Sequence, residues 1–224
     1  MRFRELTCAQ ELTALVEEIG FLPLFKSPVS GFSVEELCSP DLWFSDEVEG
    51  PWEWKGPVAR SGRCVYGRFF GGHPGFVSVD WLPDFANYRR DGYDFDARFD
   101  DGLASIKDRD LYETLARSGS LLSKELKRQC GYRKGGLRGF DTVIARLQMQ
   151  TYVVVSNFEY EIDRNGVPYG WGVMRYSTPE KLFGYECVTS AYERAPEESK
   201  SRVAAHLTRL LPDADARQIA ALVG

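Results

Sequence analysis

From Ile106 onward the chain runs through three short helical patterns and then two strands, and few small folds accept that succession. Ile106, Leu111 and Leu115 make a loose apolar face that Ser118-Gly119-Ser120 ends. Ser123 precedes KELKRQC and is placed to cap it, with Leu126 facing inward. Gly131, Gly135, Gly136 and Gly139 then make a flexible, basic turn. Phe140, Val143, Ile144 and Leu147 recur at i, i+3, i+4 and i+7, the spacing of one buried stripe, and Thr142, Ala145, Arg146 and Met149 take the opposite face. Tyr152 to Val155 is strand-like, Asn165-Gly166 is a hairpin signal, and Gly172 to Tyr176 is the return strand. Three helices followed by a two-stranded ribbon is the order of a winged helix-turn-helix, predicted here over residues 105–184.

Charge singles out the same stretch. The chain carries a net −5, but residues 1–116 carry −9, residues 117–147 carry +6 and residues 148–224 carry −2. A compact basic segment in an acidic protein is a candidate anion-binding face. A helix fits the major groove of DNA, and basic residues around its N-terminus meet phosphates. On that basis DNA is the expected partner. Its contacts are Lys127, Arg128, Arg133, Lys134, Arg138, Thr142 and Arg146, with Arg164 at the ribbon tip. The base of the ribbon is acidic, with Glu159, Glu161 and Asp163, and would repel phosphate. Such units also serve as scaffolds for protein interaction or ligand binding, and that alternative stays open.

Residues 1–104 read as an aromatic-rich α+β region. A helix is expected over residues 10–25, stopped by Gly20 and Pro23. The stretch from Trp43 and Phe44 to Phe99 is crowded with aromatic residues, and turn signals separate short strands at Val58–Arg60, Arg63–Phe70 and Phe76–Trp81. If WEWKGP is extended, Trp52 and Trp54 share one face, where exposed indoles could stack an unpaired base. The aspartates between Asp80 and Asp101 are candidates for a buried general base or for loop capping. His73 reads as a turn residue. Residues 185–224 read as a helical tail in which Pro196 starts one helix and Pro212-Asp213 breaks it. This tail is expected to pack on the winged helix, and its helices could also join two copies of the chain into a homodimer. His206 is expected on its surface. The fold class is therefore α+β: a winged helix-turn-helix between an aromatic-rich N-terminal region and a helical tail.

No apolar run approaches the roughly 18 residues of a membrane span, and the charged N-terminus is unlike a signal peptide. Five dispersed cysteines without a CxxC pair and two histidines give no zinc pattern. No metal or cofactor is expected, and the thiols suit a cytoplasmic protein.

Four segments carry a family likeness: SGSLLSKELKR, IARLQMQTYVVV, VMRYSTPE and VDWLPDFANYRR. They resemble the AlkZ-type winged-helix DNA glycosylases, and the chain is most similar to the short AlkZ-related proteins of that group. The resemblance implies a connection to the excision of alkylated or cross-linked bases, through a Gln-apolar-Gln motif that positions water at the sugar. Gln148-Met149-Gln150 is the QxQ of this chain. It departs from the family, where the motif belongs to an earlier winged helix. On a helix the two glutamines point about 200° apart, and they converge only on extended backbone. Hydrolysis of an N-glycosidic bond and binding without catalysis both stay open.

Overall fold

The computed structural model describes residues 3–43, 45, 47–162, 164, 166 and 168–224. The expected wing residues Asp163 and Asn165, and Phe44 of the aromatic stretch, lie outside them. Helix α1 (Ala9–Ile19) buries Leu12, Leu15, Val16 and Ile19 and stops well before residue 25. Gly20 sits at φ 84° and its N–H closes on the Val16 carbonyl, a conformation glycine adopts without a Cβ penalty. A Cβ there would lie 2.5 Å from Trp81. The chain turns at once into strand β1 (Phe21–Pro23), then runs through α2 (Val34–Leu37), a 3-10 turn at Pro40–Leu42 and α3 (Pro51–Arg60). The hairpin β2 (Cys64–Phe70) and β3 (His73–Ser78) follows.

Helices α4 (Leu82–Arg90) and α5 (Phe95–Asp100) lead into a second run with the same succession. It comprises α6 (Ile106–Ser118), β4 (Ser120–Leu122), α7 (Ser123–Gln129), α8 (Phe140–Met149), β5 (Val154–Ile162) and β6 (Pro168–Ser177). Helix, strand, helix, helix, strand, strand thus occurs twice. In each run the first strand pairs antiparallel with the third, and the second also pairs with the third. All six strands form one sheet of order β1-β3-β2-β5-β6-β4, joined where Tyr66 faces Val155. That order reads the same from either end. The halves interlock, because α3 packs on β5 and α8 packs on β2. Each last strand is followed by a helix opening on proline and an acid, Pro83-Asp84 in α4 and Pro179-Glu180 in α9 (Pro179–Phe183).

Helix α3 corrects the strand expected at Val58–Arg60 and the extended reading of WEWKGP. Pro57 inside it is out of place, since an internal proline costs about 3 kcal/mol. Burial of Trp54 and Val58, at about 1.5–3 kcal/mol for each such side chain, offsets that. Two smaller corrections concern the second run. Ile106 is exposed, and the inward face of α6 is Leu111, Thr114 and Leu115. Ser123 is the first helical residue of α7, and the cap is the Glu125 carboxylate accepting the Leu122 N–H at 2.9 Å.

The tail consists of α10 (Tyr185–Thr189), α11 (Pro196–Leu210) and α12 (Ala216–Val223). It packs on α4 and β2 of the first half, not chiefly on residues 105–184. Polar side chains of α4 explain this. Buried Asp84 accepts from Ser199 at 2.9 Å and pairs with Arg194 and Arg202 at 3.2 and 3.1 Å. Asn87 donates to the carbonyls of Ala191 and Arg194. Arg89 donates to the carbonyls of Phe69 and Val223. His206 is drawn inward by the same docking: its ring lies 4.4 Å from that of Trp81 and its Nε2 is 2.8 Å from the Ile19 carbonyl. A carbonyl only accepts, so that nitrogen carries a proton.

Candidate nucleic-acid interface

The basic segment folds into a short helix, a glycine-rich loop and a second helix. Leu126 anchors α7 in the core, and Phe140, Val143, Ile144 and Leu147 anchor α8. Between them the loop closes on itself: the Gly136 N–H donates to the Arg133 carbonyl at 2.8 Å and the Leu137 N–H to the Gly131 carbonyl at 3.0 Å. A Cβ on Gly136 would meet the Gly131 oxygen at 2.4 Å, so this tight turn requires glycine. The turn leaves Arg133, Lys134 and Arg138 exposed, with Arg128 beside them. Among the described residues none of these four side chains makes an ion pair, and Thr142 is open on the first turn of α8. Lys107 of α6 extends the patch, donating to the Arg138 carbonyl at 3.1 Å.

Other basic residues are engaged. Arg146 makes two hydrogen bonds to one oxygen of buried Asp108, the shorter 2.6 Å, which ties α8 to α6. Lys127 lies 3.4 Å from Asp141 and 4.7 Å over the Phe140 ring. The acidic base of the ribbon is largely internally compensated. Glu161 pairs with Lys124 at 2.8 Å and Glu159 pairs with Arg175, so its repulsion of phosphate is smaller than the bare sequence implies. Arg164 is exposed in the turn between β5 and β6.

Gln148 and Gln150 do not come together. Both stand at the end of α8, where the backbone is still turning rather than extended. Gln148 is buried; its Nε2 donates to the Ile144 carbonyl at 3.2 Å and its Oε1 accepts the Arg68 N–H at 3.3 Å. Gln150 is half-buried at the C-cap.

The tryptophan pair also differs from the expectation of two exposed indoles. Trp54 is buried and its Nε1 donates to the Glu49 carbonyl at 3.0 Å. Trp52 is half-buried and meets Trp43 edge-on at 5.6 Å, with Phe25 at 5.9 Å. Lys55 also lies against it, its Nζ 4.0 Å from the Trp52 ring centre and 4.7 Å from that of Phe158. Burial pulls the Lys55 amine down to about 8, only partly opposed by Glu53. Sequence reasoning passed over Lys55, because its surroundings come from β5, a hundred residues downstream.

It also passed over Arg90. This guanidinium is 1% exposed and pairs with Glu180 at 2.6 Å. It also donates to the Thr151 carbonyl and to Tyr192 and lies 4.6 Å from the Tyr152 ring. Burial disfavours its charge, but Glu180 and Tyr192 more than restore it. The repeated Pro-acid signature, Pro83-Asp84 and Pro179-Glu180, marks two carboxylates that pair with arginines and was the available clue. His73 opens β3 and is exposed. Among the described residues no helix is long and apolar enough to cross a membrane.

A family model described as AlkZ related matches residues 6–224, nearly the whole chain, so the chain belongs to the AlkZ-related family. Neither the curated proteins nor the solved structures give a match.

Proposed function

We propose that this AlkZ-related protein is a winged-helix nucleic-acid-binding protein with a DNA-repair role, and that loop 131–139 and the start of α8 meet duplex DNA. Support for the winged-helix assignment comes from the succession α6-β4-α7-α8-β5-β6 and from the pairing of β4 with β6. The earlier run from α1 to β3 has the same succession and strand order, which favours two interlocked units over the three-part division 1–104, 105–184 and 185–224. The observation that carries the functional reading is the set of four exposed basic side chains, Arg128, Arg133, Lys134 and Arg138, without carboxylate partners among the described residues. Cations left free in an acidic protein are suited to phosphates. Arg146 and Lys127, held internally, contribute less.

The test is duplex affinity against salt. Each phosphate contact contributes about 0.9 to the slope of log K against log salt, so replacing Arg133, Lys134 and Arg138 together should lower the slope by roughly three. A triple variant that binds as wild type does would remove this face from the interface.

Membership of the family favours excision of alkylated bases as the associated chemistry. Abasic sites formed from DNA carrying 7-methylguanine are the readout. Gln148 is committed to the Ile144 carbonyl and the Arg68 N–H, so Gln150 is the residue of the motif left to act. Activity surviving in Gln150→Ala would exclude the motif. A second reading, as a ligand-binding protein, draws on a cavity of about 540 Å³ between the N-terminal segment and the tail, lined by Phe3, Glu36, Leu37, Leu211 and Gln218. A small-molecule thermal-shift screen, with Leu37→Trp filling the cavity, tests it.

A further inference from the structure

The basic loop carries one side chain that its charge does not explain. Leu137, between Gly136 and Arg138, is 40% exposed. The loop does not need it as an anchor. Half-buried Tyr132 takes that part, its ring meeting that of Phe140 at 5.3 Å, edge-on. The Leu137 backbone is nonetheless held, through its N–H on the Gly131 carbonyl. A leucine kept in water on a closed turn forfeits the burial that such side chains ordinarily gain.

Cations flank it on both sides. Arg133 lies along the turn, its Cγ 3.1 Å from where a Gly136 Cβ would stand, and Lys134 follows it in the chain. On the other side Arg138 is next in sequence, and Lys107 reaches from α6 to the Arg138 carbonyl at 3.1 Å. The apolar exposure is not isolated, because Leu103 and Ile106, just before Lys107, are 50% and 64% exposed. An apolar edge within a cationic patch fits a partner that offers anionic and apolar surface side by side. Duplex DNA does so: phosphates lie outside, and between them are the faces of stacked base pairs, which apolar side chains can enter. An anionic lipid surface combines the same chemistries, but it takes up the apolar face of an amphipathic helix. Here α7 and α8, on either side of the loop, turn their apolar faces into the core.

We propose that Leu137 is a wedge that enters a base step of bound duplex DNA and partly unstacks it, so that a step already weakened by a mismatch is bound in preference to a paired one. The inference rests on the nucleic-acid reading above and adds what the bound DNA must do. Arg133, Lys134 and Arg138 hold the phosphates around the step, and the leucine occupies the gap. Gly136 ahead of it presents no side chain to keep the base pairs away. Unstacking costs least where pairing is already lost, and that difference is the source of the preference. No covalent bond forms or breaks.

The experiment uses the full chain and two short duplexes, one fully paired and one with a central mismatch, each carrying 2-aminopurine beside the central position. Anisotropy measures affinity, and 2-aminopurine fluorescence rises when that base unstacks. Wild type should bind the mismatched duplex roughly tenfold more tightly and raise its fluorescence about twofold or more. Leu137→Ala and Leu137→Ser should lose the rise and most of the preference, with the salt slope unchanged because no phosphate contact is removed. Leu137→Met, apolar and of similar volume, should keep both. The side chain is exposed, so all three variants should melt as wild type does. Binding by wild type without a fluorescence rise overturns the wedge and leaves the interface standing, as does a rise that survives Leu137→Ala. Failure to bind either duplex overturns the interface and the inference together. Vesicles of phosphatidylserine and phosphatidylcholine form the last arm: vesicle binding that Leu137→Ala weakens, with DNA binding unchanged, would assign the leucine to a lipid surface and overturn the wedge.

Discussion

Replacing Lys55 with methionine should stabilise the protein near neutral pH and lose that advantage as the pH rises. The folded-state amine titrates near 8, against 10.5 for a free lysine. Between those values the unfolded chain holds a proton that the folded chain has released, so wild-type stability rises with pH across the window. Two and a half units at about 1.4 kcal/mol each give roughly 3 kcal/mol of penalty, fully present below pH 8 and relieved by pH 10.5. The ring faces of Trp52 and Phe158 act in the other direction, at about 1 kcal/mol for such a cation–π contact. Desolvation wins, and Lys55→Met should be more stable than wild type by about 1–3 kcal/mol at pH 7. Urea unfolding of both proteins from pH 7 to pH 10 measures this. Only the difference between the two curves matters, because every other titrating group is common to both. Glu53 and Arg60 lie on α3 itself, and burial pushes the Tyr160 phenol of β5 up. A difference that stays constant with pH, or a variant less stable at pH 7, would refute the desolvation reasoning.

Glu180→Ala should cost about 3–5 kcal/mol, because it strands the Arg90 guanidinium in the interior without its counter-ion; thermal unfolding reads this. Asp84→Asn should cost less, about 1–2 kcal/mol, since Arg194 and Arg202 are partly exposed and can turn to water. Limited proteolysis near residues 190–195 should report the loosened tail. Gly75→Ala should destabilise by at least about 1–3 kcal/mol through overpacking, its Cβ falling 2.4 Å from the Phe70 ring and 2.8 Å from the Leu22 carbonyl. Gln148→Ala should lower the melting temperature while Gln150→Ala leaves it nearly unchanged, because only the former is buried and bonded on both ends. Equal losses for the two would contradict that contrast.

Neighbouring residues specify the events that act at short range. The apolar stripe of α8, the turn chemistry at Gly20, the proline start of α11 and the clustering of cations before Phe140 are all readable from neighbouring residues, because their causes act within one or two turns of chain. The basic loop was legible for the same reason. The remaining features arise from contacts between distant segments. A helix through Trp52-Glu53-Trp54-Lys55-Gly56-Pro57 runs against local propensity and holds through the burial of Trp54 and Val58. Whether a cation is free or committed depended on partners far away, Asp108 for Arg146 and Glu180 for Arg90. The doubled succession was faintly present, as two glycine-ended helices each followed by a three-residue strand and as a Pro-acid helix start after each last strand. It became an architecture when Tyr66 met Val155 and the two sets of strands closed into one sheet. Pairing between distant strands and the desolvation of Lys55 have no local signature, since both arise from what the folded chain brings alongside.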